Sequence, residues 1–428
     1  MSRLTVLFTL CWCIHSTALA EHEWPQFRGP TGQGTATTSA APTTWSETKN
    51  VRWKAPTPGS GWSSPVVSGN QIWMTSSIQE GRSLRAICVD RSSGSIIREA
   101  EVFRREEAEH VHSQNNHAAP TPVIDGNQVF VHFGTNGTAA LDRNGNVLWR
   151  NTDLKYHTPH GAANSPVVSG GFVIVCCDGE DRQFVAALYK KTGKIAWRRN
   201  RAHLEDARRK SREETNEGRK GLPFIAFSTP LVIDIDGVPT LISTPADHVV
   251  ANRVDTGEEL WWFPYNCFSL VARPVFENGI VYAIGGLRDG HYVLYAIPAS
   301  SRGRIEEDDL AWKRTETVPQ CPSPILLNNR LFMMKDSGIA TCLDATTGKE
   351  LWQRRIGGNY RSSPIAIGNH VYVTSQKGKT TIIKLADRYE VVATNQLDGI
   401  FLASAAVVGD EFYLRSDSHL YRIESLQP

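Results

Sequence analysis

Residues 320–355 constrain the fold of this chain most, because they hold one complete structural unit that recurs along the sequence. The unit contains an apolar run after Pro324, an Asn-Asn turn, two more apolar runs, an Asp-x-x-Thr-Gly turn and a last run ending in Trp352. Short apolar runs rich in β-branched and aromatic residues, separated by Asn, Asp and Gly, are typical of antiparallel strands. The unit therefore predicts a four-stranded meander, with Gly348 at a turn position that needs positive φ.

The first strand of each unit begins beside a proline, and this proline aligns eight copies. The copies are marked by Pro65, Pro122, Pro166, Pro230, Pro274, Pro324 and Pro364, with Ala406 in the same place of the eighth. Their spacings, between 40 and 64 residues, are near the period of a four-stranded propeller blade. The eighth copy ends before its outer strand, and residues 51–54 match the missing strand in type. We expect an all-β fold, one eight-bladed β-propeller of four-stranded antiparallel blades over residues 50–428, with the ring closed by the N-terminal strand.

A large aromatic residue closes most of the units. The closing positions are Trp149, Trp197, Trp261, Trp312 and Trp352, with Trp53 in the closing strand and Ile97 and Val392 in the first and seventh units. The Asp-x-x-Thr-Gly-x-x-x-Trp pattern of residues 344–352, shortened in residues 255–261, resembles the tryptophan-docking motif of PQQ-like (pyrroloquinoline quinone) propellers. The resemblance implies that these six tryptophans are structural.

The PQQ-like propellers that the chain resembles fall into three groups: quinoprotein alcohol and glucose dehydrogenases, the BamB-type scaffold of outer-membrane assembly, and secreted single-propeller proteins of unestablished activity. The opening residues 24–30, WPQFRGP, look like the last group. A shared fold does not carry an activity with it, so the site has to be argued from its own residues.

Three segments depart from the repeat. Residues 1–20 combine one positive charge, an apolar stretch and Ala-Leu-Ala, which predicts a signal peptide and an exported protein, periplasmic or secreted. Residues 21–49 are rich in Gly, Pro, Thr and Ser and are expected to form an ordered arm. Residues 198–220 form a charged insertion, expected to be a surface excursion or a lid.

Composition narrows the class of partner. The 46 Lys and Arg nearly balance the 44 Asp and Glu, so we expect no nucleic-acid partner. Beyond the expected signal peptide, no apolar run approaches the roughly 20 residues of a transmembrane helix, so we expect no transmembrane segment. The sequence also lacks the Gly-x-Ser-x-Gly, His-Glu-x-x-His and Walker signatures, which argues against a hydrolase or a metalloprotease.

The candidate site is the funnel where the loops enter the blades. Six of the 13 histidines fall within residues 110–160, and we expect His117 and His160 to stand beside each other there. Such a pair could bind a transition metal or shuttle a proton, or could simply cap turns, so a metal is left open. The other polar residues that the alignment places on this face are Asn116, Asn164, Asp181, Arg182, His248, Arg273, Asp289, Lys335, Arg361 and Lys377.

The adjacent cysteines Cys176 and Cys177 allow two interpretations. A vicinal disulfide beside the cofactor is a feature of quinoprotein alcohol dehydrogenases, so the resemblance allows a bridge. Consecutive side chains of a strand point to opposite faces, however, which favours two thiols that fill packing space. Cys267 and Cys321 precede neighbouring blades, a placement that allows them to approach each other.

Two functions follow. The first is a non-enzymatic scaffold that presents its funnel to a protein, peptide or glycan, with no cofactor. The second is a PQQ-dependent dehydrogenase with Ca²⁺ and a base such as Asp181 or Asp289. PQQ carries three carboxylates and a flat quinone, and its site needs cations, a metal and stacking groups. The chain lacks the long insertions that build this site in the dehydrogenases it resembles, and we expect no Trp over the funnel centre. The binding function is therefore favoured.

Overall fold

The computed structural model describes residues 23–36, 38, 41–201, 203, 225–265, 267, 269–286 and 291–426. The expected signal peptide, Asp289 and most of the charged insertion, residues 202 and 204–220, lie outside these residues. Regular structure in the described residues is almost entirely β, with 3-10 turns at Gln79–Gly81, Gly134–Asn136 and Glu307–Asp309.

The N-terminal segment contributes three strands that belong to sheets formed mainly by later residues. They are β1 (Glu23–Trp24), β2 (Thr35–Ala36) and β3 (Val51–Pro56). The first blade then holds β4 (Val66–Ser68), β5 (Gln71–Ile78), β6 (Ser83–Asp90) and β7 (Ile96–Arg104). The second holds β8 (Val123–Asp125), β9 (Gln128–His132), β10 (Thr138–Asp142) and β11 (Val147–Asn151). The third holds β12 (Val167–Ser169), β13 (Phe172–Asp178), β14 (Gln183–Tyr189) and β15 (Ile195–Asn200).

The later blades follow the same plan. The fourth holds β16 (Leu231–Ile235), β17 (Val238–Ser243), β18 (His248–Arg253) and β19 (Glu259–Pro264). The fifth holds β20 (Val275–Glu277), β21 (Ile280–Gly286), β22 (Tyr292–Pro298) and, after β23 (Gly303–Arg304), β24 (Trp312–Arg314). The sixth holds β25 (Ile325–Leu327), β26 (Arg330–Met334), β27 (Ile339–Asp344) and β28 (Glu350–Arg355). The seventh holds β29 (Ile365–Ile367), β30 (His370–Thr374), β31 (Lys379–Lys384) and β32 (Val391–Gln396), and the eighth holds β33 (Ala406–Val408), β34 (Glu411–Arg415) and β35 (His419–Ile423).

The ring closes through the N-terminal strand. The eighth sheet has the order β3-β35-β34-β33, and Val51 lies opposite Ile423. Glu411 ties this sheet to the first blade, because its two carboxylate oxygens each lie 2.7 Å from a guanidinium nitrogen, one of Arg91 and one of Arg422. The prediction of an eight-bladed all-β propeller closed by residues near 51–54 is confirmed.

The six tryptophans lie between blades. Each indole N–H donates to a backbone carbonyl of the following blade over 2.7–3.1 Å: Trp53 to Arg91, Trp149 to Lys190, Trp197 to Val254, Trp261 to Ala299, Trp312 to Ala345 and Trp352 to Ala386. For four of the six rings the following blade also presents a turn glycine: Gly94 to Trp53, Gly193 to Trp149, Gly257 to Trp197 and Gly348 to Trp312. Gly348, at φ 71°, would carry a Cβ only 2.6 Å from the Trp312 ring. Glycine is therefore required there both by backbone conformation and by the close approach of the indole.

Two alignments from the sequence are wrong by one residue. In the sixth blade Trp352 lies opposite Cys342 on the neighbouring strand. Cys88 holds the place of Cys342 in the first blade, and the residue opposite it is Arg98, not Ile97. In the seventh blade Ala393, not Val392, occupies this place. The register shifts beside these pairs, which is the mark of a β-bulge, and a bulge changes which side chain faces the next blade.

The start of the eighth blade needs the same correction. β33 begins at Ala406 as β4 begins at Val66, so the counterpart of Pro65 is Ala405 rather than Ala406. No proline marks the position in this blade, and its alignment therefore depended on the apolar run alone.

The N-terminal arm crosses the central channel along the first strands of the blades. β1 pairs antiparallel with β4 of the first blade, and β2 pairs parallel with β29 of the seventh. Between them, single hydrogen bonds join Pro25 O to Ile124 N–H, Gln33 Oε1 to Phe276 N–H and Gly34 O to Ala366 N–H. The arm then packs Trp45 beside Tyr372 and Phe412 before it enters β3.

Candidate functional site

A cavity of about 290 Å³ lies on the propeller axis and is lined by loops of all eight blades. Its wall is formed by the residue three positions before each aligned proline, or before Ala405 in the eighth blade. These residues are Trp62, Ala119, Ala163, Phe227, Val271, Cys321, Arg361 and Leu402. The wall is therefore apolar apart from one thiol and one guanidinium.

A ring of hydroxyl groups lies one step deeper, at the residue immediately before each proline. It comprises Ser64, Thr121, Ser165, Thr229, Ser323, Ser363 and Ser404, and Arg273 takes this position in the fifth blade. Six backbone N–H groups of this ring, that of Arg273 among them, each donate to the hydroxyl of the next blade over 2.9–3.0 Å. Alternation along an extended chain explains why positions −3 and −1 both face the axis.

Phe27 of the arm also lines the cavity, so the arm contributes to the site as well as to the channel. The rim includes His112, Gln114 and Asn115, which belong to the connection between the first two blades, together with Gln320. A second cavity of about 560 Å³ shares Trp62, Gln114, Arg361 and Leu402 with the first and continues towards Asp336 and Gln376. The two cavities together make one elongated groove.

Arg361 is the one side chain with a permanent charge among the described residues that line the axial cavity. Its Nη1 lies 3.0 Å from the sulphur of Cys321, and burial raises the pKa of that thiol to about 12, so the thiol is neutral at pH 7. Asp336 is close by, but its two carboxylate oxygens accept the backbone N–H groups of Gln320 and Cys321. Arg361 can therefore meet the anionic group of a ligand.

The histidine beside His160 is His112, with ring centroids 4.8 Å apart. Burial, followed by the effect of His112, lowers the pKa of His160. The expected partner His117 instead lies against Gly81, with a ring nitrogen 2.8 Å from Glu109 O. The expectation that His117 and His160 pair is therefore corrected, because the 105–117 connection brings His112 to the axis.

Of the predicted funnel residues, His160 and Arg361 line the cavity. Asn116 and Asn164 are buried in turns, where Asn116 Oδ1 accepts the Ala118 N–H and Asn164 Nδ2 donates to Cys176 O. Asp181 accepts the His157 N–H and lies 3.8 Å from Arg182 at the surface.

The remaining candidates lie away from the cavity wall. His248 is buried, with Nδ1 2.6 Å from Asp247 and its ring near Trp262. Arg273 faces the arm. Lys335 begins a turn closed by its N–H to Ile339 O, and Lys377 is exposed in the corresponding turn of the next blade.

Trp62 also corrects an expectation, because a tryptophan does lie at the funnel. The sequence contained a signal for it: once the prolines are aligned, position −3 can be read directly in every blade. The prediction chose loop histidines instead, because histidine can bind a metal or transfer a proton.

Cys176 and Cys177 are both buried free thiols on β13, opposite Val185 and Phe184. Burial raises the pKa of Cys176 to about 12. Arg201 lies against this pair, with Nη2 3.5 Å from the Cys176 sulphur and Nε 3.0 Å from Asp178 in a buried ion pair. Cys321 is likewise a free thiol, and it faces the cavity. No cluster of three His, Cys, Asp or Glu among the described residues could hold a metal ion.

Comparison with known proteins agrees with this architecture. The family described as "Outer membrane protein assembly factor BamB" matches residues 46–262, 106–322 and 181–425. The structure is similar to BamB from Moraxella catarrhalis, at 14% identity and TM-score 0.58, over 88% of this chain and 98% of that one. It is similar to a europium-containing methanol dehydrogenase, at 11% identity and TM-score 0.67, over 94% and 91%.

A computationally designed protein, Ika8, also shares the fold, at 12% identity and TM-score 0.54, over 89% of this chain and 99% of that one. A search of curated proteins found no match to the sequence. Within the described residues, no helix has the length and apolar character needed to cross a membrane. The overlapping family matches span most of the chain, and with the eight docked blades they show that it belongs to the BamB-like family of PQQ-like propellers.

Proposed function

We propose that this chain is an exported binding module without catalytic activity of its own, and that its axial groove holds a peptide segment with an apolar side chain next to an acidic group. The observation that carries the proposal is the composition of the cavity wall: of its eight equivalent positions, one is a cation and none is an acid. Concave, mostly apolar sites with a few placed polar groups are the usual form of ligand sites.

The apolar part of the ligand would be held by aromatic surfaces. Trp62 and Phe227 stand on the wall and Phe27 contributes from the arm, while Leu402 completes the apolar surface between the two cavities. The axial cavity, at about 290 Å³, lies at the lower end of the range for ligand sites, so this part of the groove suits one or two side chains.

The polar part would be recognised at the rim. The Arg361 guanidinium can form charge-assisted hydrogen bonds to a carboxylate, which are among the stronger hydrogen bonds in proteins. The amides of Gln114, Asn115 and Gln320 can pair with peptide N–H and C=O groups. The elongated groove favours an extended chain over a compact ligand, and for this reason we choose a peptide rather than a glycan.

The alternative, a PQQ-dependent dehydrogenase, fits these residues less well. PQQ has three carboxylates, whereas the described lining of the axial cavity offers one guanidinium and no carboxylate for Ca²⁺ or for a general base. Asp336 lines the second cavity, but both of its carboxylate oxygens already accept backbone N–H groups. Asp181 is at the surface and accepts a backbone N–H, and Asp289 lies outside the described residues. Trp62, Phe27 and Phe227 provide aromatic surfaces that would suit a flat quinone.

Calorimetric titration with a matched set of synthetic hexapeptides tests the proposal. Three of the peptides carry an apolar residue next to Glu, Gln or Lys, and a fourth carries a polar residue next to Glu. We expect the apolar-Glu peptide to bind most tightly, and Arg361→Gln to weaken it about 10- to 100-fold, as for a lost charge-assisted hydrogen bond. The affinity for the apolar-Gln peptide should fall much less in this variant.

The exposed Arg354 on β28 provides the matched control, since Arg354→Gln removes the same charge away from the groove. An Arg361→Gln variant that binds all peptides as the wild type does would contradict the proposal. Titration with PQQ and Ca²⁺ in parallel decides the alternative, because tight uptake of PQQ without binding of any peptide would replace the binding function with the dehydrogenase.

A further inference from the structure

Two arginines lie buried where the arm contacts the blades, and neither of them lines the axial cavity. Arg28 belongs to the arm and Arg273 to the start of the fifth blade, and each is only 2% exposed. The loop of residues 32–34 packs directly on both. A Cβ at Gly34 would lie 2.5 Å from Arg28 Nη2, and one at Gly32 would lie 2.6 Å from Arg273 Nη1. One short loop therefore holds both guanidinium groups in the same enclosed place.

Each of the two cations donates to neutral acceptors only. Arg28 Nη2 donates to Gln33 O and Pro324 O, each at 2.6 Å. Arg273 donates through Nη1 to Phe27 O and through Nη2 to Pro230 O, each at 2.7 Å. Every acceptor that the described residues supply to this pair is a backbone carbonyl, so no carboxylate among them offsets either charge.

Several donors of the pair remain unused. Arg28 Nε and Nη1 and Arg273 Nε are buried and have no acceptor among the described residues. A buried donor without an acceptor, and a buried charge without a counter-charge, are both strongly unfavourable. Burial lowers the pKa of Arg273 to about 9, and burial together with Arg273 lowers the pKa of Arg28 to about 9. Both groups are therefore charged at neutral pH.

We propose that Arg28 and Arg273 bind a small monovalent anion of the size of chloride between the arm and the channel wall. Such an ion accepts several N–H groups at once and offsets the repulsion between the two guanidinium groups. The anion has to be small because Gly32 and Gly34 lie against the guanidinium groups. A cavity of about 460 Å³ reaches Arg273 and is also lined by Gln26, Thr31 and Gln33 of the arm. The site is separate from the axial groove and does not depend on the proposed binding function.

The anion would fasten the arm to the channel. Arg28 reaches the sixth blade through Pro324 and Arg273 reaches the fourth through Pro230, so an ion held by both links the arm to blades that are far apart in sequence. Because the folded chain alone contains this arrangement, binding of the ion should stabilise the folded state.

Thermal unfolding of the full chain in chloride tests this site, with gluconate added so that ionic strength stays constant. Above the dissociation constant, we expect Tm to rise by about 2 °C for each tenfold increase in chloride. Bromide should replace chloride, and crystals grown in bromide should show an anomalous peak next to Arg28 and Arg273.

Arg28→Gln should lower Tm and abolish its dependence on chloride. The control is Arg415→Gln. Arg415 is also buried and also donates to backbone carbonyls, those of Ser63 and Thr75, but no second arginine perturbs it. This variant should lose stability and keep the chloride dependence. If Arg28→Gln does not fold, the wild-type bromide peak decides. A wild-type Tm independent of chloride, with no bromide peak, would mean that water accepts these hydrogen bonds and would overturn the proposal.

Discussion

His132 on β9 is a side chain whose chemistry is set by burial. Its ring nitrogens lie 2.9 Å from Thr138 Oγ1 and 3.2 Å from Tyr156 Oη, and burial lowers its pKa to about 4. In the unfolded chain the ring would titrate near its ordinary pKa of about 6.5. Between these two values the unfolded state binds more protons than the folded state, so stability is lost as pH falls through this window.

We therefore predict that His132 contributes a loss of about 3 kcal/mol in the free energy of unfolding between pH 6.5 and pH 4, and no further loss below pH 4. His132→Gln keeps a polar group but removes the titration, so urea unfolding of this variant should show a flatter pH dependence. His370→Gln, at a partly exposed position, serves as the control. Equal pH slopes for His132→Gln and the wild type would contradict this account.

Single residues of the site were the hardest to predict. Arg361 and His160 were identified, but Trp62, Phe227 and His112 were missed, although Trp62 and Phe227 occupy position −3 from an aligned proline. Position relative to the blade would have found those two, whereas residue type pointed to charged loop residues such as Asp181 that face solvent. His112 could not be found in this way, since it comes from a connection that follows no repeat.

The docking tryptophans act at the scale of the element, because each joins one blade to the next. Trp352 on β28 packs near Phe332 and Tyr389 and donates to Ala386 O at 2.8 Å. Trp352→Ala should lower the free energy of unfolding by about 3–5 kcal/mol, the usual cost of removing a large buried aromatic side chain. Urea unfolding at neutral pH measures it.

Trp352→Phe is the matched control, since it keeps a ring but loses the indole N–H, and it should lie between the wild type and Trp352→Ala. A loss below about 1 kcal/mol for Trp352→Ala would show that the contact between the sixth and seventh blades does not depend on this residue.

The strands could be predicted from the sequence, whereas the register between them could be predicted only in part. Pro, Gly and Asp-x-x-Thr-Gly turns separate apolar runs, and this local pattern was enough to place the strands. The one-residue errors at Ile97 and Val392 arose at outer strands without tryptophan. Strands with tryptophan carry the same bulge, but there the residue type marks which side chain faces the next blade.

At the scale of the whole molecule, stability depends on closure of the ring by β3. Removal of residues 21–56 would leave β35 with an open edge and uncover the aromatic contacts of Trp45 and Trp53. Exposed edges and apolar faces favour association. We therefore predict that the truncated protein is mostly insoluble, and that its soluble fraction is oligomeric by size-exclusion chromatography.

Removal of residues 23–44 is the matched control, because it deletes the arm that crosses the channel but keeps Trp45 and β3. This protein should stay monomeric, with a lower Tm. A monomer of unchanged Tm after removal of residues 21–56 would refute the role of closure.

The sequence by itself determined the blade, its eightfold repetition and the strand that completes the last copy, because these depend on residues near one another in the chain and on a pattern that repeats. Only the tertiary structure decided which side chains lie together at the propeller axis. The contacts of Phe27 with the cavity, of Arg28 with Pro324 and of His112 with His160 join segments that follow no repeat. Their neighbours are set by ring closure and by the path of the arm through the channel, and the physical reason is that local propensity carries no information about partners so distant in sequence.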